Sequence, residues 1–133
     1  MFGREPKRAP ANPMGRVGED HAARHLAKHG YTILERNVRV GRYELDLIAL
    51  DGDTIVFVEV KTRNASDLAH AEDNVTRDKR RRLLAAAEAY IARRDPDGER
   101  YYRFDVVAIT VDPAGARPPR VVVYRDAFRA DER

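Results

Sequence analysis

Residues 54–61 (TIVFVEVK) alternate with period two, yet both faces are apolar: Ile55 and Phe57 lie on one, Val56, Val58 and Val60 on the other. A strand that is apolar on both faces has to be covered on both. Residues 43–50 (YELDLIAL) predict a second strand just before it, and the Asp51-Gly52 pair predicts a tight turn that makes the two a hairpin. Residues 31–40 (YTILERNVRV) are rich in β-formers and predict a third strand. Ahead of them, residues 15–29 predict a helix that Gly30 ends. Residues 64–74 predict a loop, and 75–94, rich in Ala, Leu and Arg, a long helix that the DPDGE stretch at 95–99 breaks. Residues 102–111 and 120–125 predict two more strands around a Pro/Gly loop at 112–119. The order αβββαββ predicts an α/β domain in which helices flank a mixed β-sheet on both sides.

Composition narrows the class. The 133 residues suffice for one hydrophobic core, and at 43% hydrophobic against 35% charged the chain is too apolar for wholesale disorder. The absence of cysteine excludes disulfides and thiolate metal sites. No apolar run approaches the roughly 20 residues of a membrane span, and no apolar stretch follows the charged N-terminus, so neither a membrane segment nor a secretory signal is expected. A cytoplasmic protein is the expectation. Residues 1–14, with three prolines and several cations, predict a flexible basic arm before a domain at 15–128 and a tail at 129–133.

The net charge is only +3, but residues 77–82 read Arg-Asp-Lys-Arg-Arg-Arg. Such a patch suits a polyanion, because neutralised phosphates release counterions. It also suits a solvated helix face with no partner. Lys79 shares a helical face with Val75, Leu83, Ala86, Ala87 and Tyr90, so it is expected to point inward or along the sheet edge, while much of the Arg80–Arg81–Arg82 cluster points to solvent.

Other charges stand where apolar residues belong. Glu59 and Lys61 end the doubly apolar strand on the face of Ile55 and Phe57. Asp46 sits within the preceding strand, with Leu45 and Leu47 expected on the opposite face, and the hairpin should bring it near Glu59. Glu19 shares its helical face with Ala22, Ala23, Leu26 and Ala27. A carboxylate in such a stripe costs several kcal/mol unless it is paired, protonated or metal-bound. A phosphodiester meeting two bare carboxylates at about 4 Å would be repelled by roughly 4 kcal/mol from each. A divalent cation reverses that sign, and hard carboxylate oxygens suit Mg2+ or Mn2+. Asp46 and Glu59 are the candidate metal ligands, with the Val60 carbonyl as a further donor and Glu19 holding a ligand water or a second metal. Lys61 would orient the attacking water or stabilise charge on the phosphate. The bland alternative is a structural ion-pair network at a sheet edge.

Asp46 followed by Glu59-Val60-Lys61, with twelve residues between the first acid and the second, resembles the split PD-(D/E)xK signature of restriction-endonuclease-like nucleases. More narrowly the chain resembles the YraN-type uncharacterised bacterial family. The matching stretches are Gly18-Glu19 with Ala22, residues 44–49 (ELDLIA), residues 56–63 (VFVEVKTR), Lys79, and residues 103–107 (RFDVV). The resemblance implies a restriction-endonuclease-like mixed sheet flanked by helices, similar to archaeal Holliday junction resolvases, with Glu19 completing the acidic cluster. It implies a metal-dependent endonuclease on DNA, branched or single-stranded, and, by analogy, a homodimer; the basic run Arg80, Arg81 and Arg82, with Lys79 and Arg63, supplies the candidate DNA contacts. Tyr43 departs from the family's glycine; it would either stack on a base or pack on the sheet. A non-catalytic nucleic-acid-binding module of the same fold and a subunit of a larger DNA-processing complex remain alternatives.

Glu44 is either a further acid near the site or a solvent residue. Arg103 and Asp105 are expected to serve structure. His21, His25 and His29 recur every fourth residue, but they lie opposite Glu19 and are expected to be surface histidines.

Overall fold

The computed structural model describes residues 13–65 and 75–129. Seven elements follow in the order α1 (Pro13–Lys28), β1 (Thr32–Val40), β2 (Tyr43–Asp51), β3 (Thr54–Asn64), α2 (Arg77–Arg94), β4 (Tyr101–Val111) and β5 (Arg120–Phe128). The strands form one sheet whose spatial order is their chain order. The pairs β1–β2, β2–β3 and β4–β5 are antiparallel, whereas β3–β4 is parallel and joined through α2. The sheet is therefore mixed, as expected from the element order. Residues 1–12, which carry most of the expected basic arm, and most of the expected loop at 64–74 lie outside the described residues.

The doubly apolar strand is covered on both faces. On one side Ala22, Ala23 and Leu26 of α1 pack with Leu47, Ala49, Val56, Val58, Val107 and Ile109. On the other, Leu83, Leu84, Ala86, Ala87 and Tyr90 of α2 pack with Ile48, Ile55, Phe57, Phe104, Val106 and Phe128. Fully burying one such aliphatic or aromatic side chain stabilises the fold by about 1.5–3 kcal/mol. Gly18 lets α1 approach β3 closely: a Cβ there would lie 1.8 Å from the Thr62 Oγ1. Thr76 caps α2 by accepting the Lys79 backbone N–H at 3.2 Å.

Three local readings change. Asp51 pairs with Thr54, so the hairpin turn is Gly52-Asp53, with Gly52 at φ +61°. β3 runs on to Asn64 because its parallel pairing with β4 continues to Val111. β5 runs past Arg125 to Phe128 through a register shift. There Asp126 adopts φ +52° and its N–H donates to Asp105 at 2.9 Å, and Phe128 stacks on Phe104.

Candidate active site at the β2–β3 fork

The pairing of β2 with β3 ends at Leu47 and Val58, while β3 continues beside β4. A fork opens there. The Val60 N–H has no β2 carbonyl to meet, and it donates instead to Asp46 Oδ2 at 2.9 Å. An unpaired buried N–H would cost about 1–3 kcal/mol, so the carboxylate completes the sheet as well as lining the fork.

The placement of Asp46 depends on a switch of faces that alternation did not predict. Leu45 packs on the α2 side and Leu47 on the α1 side, not together. Their β1 partners, Val38 and Arg36, are likewise divided: Val38 packs in the α2-side core and Arg36 pairs with Asp20 of α1. Between them Asn37 takes a left-handed φ of +51°. This conformation is uncommon outside glycine and enriched in Asn. The two strands thus change layers together across Asn37 and Asp46.

Glu59 is buried and reaches Asp46 by a carboxyl–carboxyl hydrogen bond. Two acids this close cannot both ionise freely. Burial above all, then the hydrogen bond and the charge of Glu59, hold the Asp46 carboxyl well above the usual carboxylate range. From the α2 side the Lys79 ammonium forms an ion pair with Glu59. Glu19, from α1, is buried with its Oε1 lacking a hydrogen-bond partner among the described residues. Burial raises its pKa, a hydrogen bond from Asn37 opposes this, and its charge in turn bears on Asp46. Lys61 is half-buried two residues beyond Glu59 on β3. The structure thus brings Glu19, Asp46 and Glu59 to one end of the sheet, with Lys79 beside them. Among the described residues, no three His, Asp or Glu side chains stand arranged as a ready metal cage. The donors that would hold a hard cation are the Asp46 and Glu59 oxygens, with the unpartnered Glu19 oxygen nearby.

The expected DNA-facing cations separate into groups. Arg82 is exposed, and Arg81 is exposed and pairs with Asp78. Arg80 is half-buried, its Nε donating to the Val75 carbonyl at 3.1 Å and its guanidinium 5.5 Å from the Phe128 ring centre. Arg63 donates to Thr110 at 3.3 Å. Arg103 and Asp105 pair at 2.8 Å, in a network with Tyr31 and Asp51. Glu44 is exposed, and its charge bears on Glu19. His25 stacks on His29, and His21 contacts Arg24. Asn37 is the residue that sequence reasoning missed; its signal is a poor β-former in mid-strand.

Fold and site together define a mixed α/β protein with an acid pair, Glu59 buried and Asp46 half-buried, at a sheet fork. The model of the uncharacterised protein family UPF0102 matches residues 18–109. A UPF0102 protein of Chlorobaculum tepidum is 39% identical over 123 residues, covering 90% of this chain and 95% of its own length. One from Chloroflexus aurantiacus is 43% identical over 121 residues, covering 91% and 94%. One from Nitratidesulfovibrio vulgaris is 50% identical over 96 residues, covering 72% and 71%. The chain belongs to the UPF0102 family. No helix among the described residues is long and apolar enough to cross a membrane.

Proposed function

We propose that this protein is a divalent-metal-dependent endonuclease that hydrolyses phosphodiester bonds in DNA, branched or single-stranded, in the cytoplasm. The observation that carries the reading is the meeting of Asp46 and Glu59, with Glu19 in electrostatic range, at a fork that Lys79 also reaches. A fold gains no stability from forcing a buried and a half-buried carboxyl together, and a phosphate could not approach them bare. Mg2+ or Mn2+ held by Asp46 and Glu59 would polarise the phosphoryl oxygen and lower the pKa of a bound water. Lys61 would orient that water or stabilise charge on the phosphate, and Glu19 would hold an outer water. Lys79, paired with Glu59, would hold that carboxyl group in place beside Asp46.

The reading is tested by incubating purified protein with plasmid, single-stranded and junction DNA in Mg2+ or Mn2+. Cleavage is expected, and Lys61→Ala and Asp46→Asn are expected to lose it. Intact DNA throughout would refute the reading. The absence of a ready three-acid cage among the described residues favours one rival, a nucleic-acid-binding module of the same fold. That rival predicts salt-dependent DNA affinity that Arg82→Ala weakens and Asp46→Asn leaves unchanged. A protein with little DNA affinity but a specific partner would instead be a subunit of a larger complex.

A further inference from the structure

Beside the fork lies a cleft of about 200 Å3 between the start of β2 and the first turns of α2, lined by Arg42, Tyr43, Glu44, Lys79, Arg82 and Leu83. Three of these side chains are cationic and one is acidic. Arg42 and Arg82 are both exposed, and neither forms an ion pair among the described residues. Tyr43 is half-buried, rests against the α2-side core and lines the cleft. Lys79 belongs to both places, since it lines the cleft and pairs with Glu59 in the fork. The cleft therefore adjoins the acid pair through Lys79, although neither Asp46 nor Glu59 lines it.

We propose that this cleft is a flanking-nucleotide subsite: it takes one unpaired nucleotide of a DNA strand, with the base against Tyr43 and the phosphate between Arg42 and Arg82. The inference rests on the nucleic-acid reading of the fork and adds a substrate preference to it. An aromatic ring between cations is the arrangement that holds single strands, because every base offers a π-face and every phosphate a charge. A base within a duplex already has both faces stacked, so only an unpaired nucleotide can use a ring set into a concave wall. The excess of cations over Glu44 fits an anionic strand, and the shared Lys79 sets its register with the fork.

The test measures anisotropy of a labelled oligo-dT and of a duplex of equal length, with Ca2+ in place of Mg2+ or Mn2+ so that the fork is not bare while turnover is suppressed. Tyr43→Leu keeps the apolar contact with the core and removes the aromatic face. It is expected to weaken single-strand binding about tenfold and duplex binding less than about twofold. Tyr43→Phe should bind as the parent does. Arg42→Ala and Arg82→Ala should each lower the single-strand salt slope by about 0.7. Equal losses on both DNAs, or no loss with Tyr43→Leu, would overturn the proposal. So would displacement of the labelled strand by a poly-glutamate peptide at lower concentration than unlabelled oligo-dT, which would make the cleft a site for acidic protein. A chain that shows the Tyr43 effect but cleaves no DNA leaves the subsite standing and ends the nuclease reading. A chain that cleaves, but whose Tyr43→Leu variant binds single strands undiminished, does the reverse.

Discussion

Replacing a buried acid by its amide usually destabilises, but Asp46→Asn is expected to stabilise this protein at alkaline pH. An unfolded aspartate ionises near 3.9. In the folded chain burial, followed by the hydrogen bond to Glu59 and that residue's charge, raises the Asp46 pKa well above this. Between the two values the folded protein holds a proton that the unfolded chain has released. Stability therefore falls as pH rises through that window, and above the folded pKa the whole penalty is present. Two carboxylates at a hydrogen-bonding separation of about 3 Å repel by about 5 kcal/mol at an effective dielectric near 20. The Lys79 ammonium on Glu59 offsets part of this, leaving a gain for the variant of about 2 kcal/mol at pH 8. Asparagine keeps the local geometry, since its carbonyl accepts the Val60 N–H and its amide donates to Glu59. For a domain of this size, 2 kcal/mol corresponds to roughly 8 °C in Tm. Thermal unfolding by circular dichroism in EDTA at pH 4.5, 6 and 8 measures it. The two proteins should converge at the lowest pH and separate as pH rises. A gap independent of pH, or a variant less stable than the parent at pH 8, would refute the argument.

Three further outcomes follow from the same contacts. Saturating Mn2+ should raise the parent's Tm at pH 8, by an amount equivalent to about 2.7 kcal/mol at a hundred times the Kd; Asp46→Ala and Glu59→Gln should lose the shift in differential scanning fluorimetry. Gly18→Ala should cost about 1–3 kcal/mol in urea unfolding, because its methyl would meet Thr62, and Thr62→Ala should recover part of that loss in the double variant. Arg103→Leu should cost about 3–5 kcal/mol in the same assay, because Asp105, wholly buried, would keep, among the described residues, only the Tyr31 hydroxyl and the Asp126 N–H as donors; an unchanged midpoint would show that the ion pair contributes nothing.

Period-two and helical patterns carry the element order, because both depend on where apolar side chains must go. Ile55, Val56, Phe57 and Val58 required cover on both faces, and α1 and α2 supply it. The same logic marked Glu19 and Glu59 as polar residues in apolar company, and both are buried. What stayed illegible depends on pairing between distant segments. Alternation assigned Leu45 and Leu47 to one face, but β1 and β2 change layers together at Asn37 and Asp46, and no single strand's pattern records a switch made by two. The reach of β5 to Phe128 was hidden by Asp126, whose irregular backbone is stabilised by Asp105 from the neighbouring strand. Arg80 read as one more solvent cation of a basic run. Its seat over Phe128 exists only because β5 extends that far.

The position of the acid pair follows from one topological event. β3 has an antiparallel neighbour for half its length and a parallel one throughout. Where the antiparallel neighbour leaves, a backbone N–H is stranded at Val60, and the layer switch at Asn37 and Asp46 supplies the acceptor. Helices from opposite faces then deliver the remaining groups: Gly18 lets α1 settle on Thr62 and brings Glu19 in, and the Thr76 cap fixes the first turn of α2, from which Lys79 reaches Glu59. Asp46 therefore serves the sheet and the site at once. Asp46→Ala removes both roles together, so lost activity in that variant says nothing about chemistry by itself. Asp46→Asn separates them, because the amide still accepts from Val60 but cannot carry the charge that a cation requires. A folded, more stable and inactive Asp46→Asn protein would assign the charge to function, whereas full activity in that variant would leave Asp46 a structural cap alone.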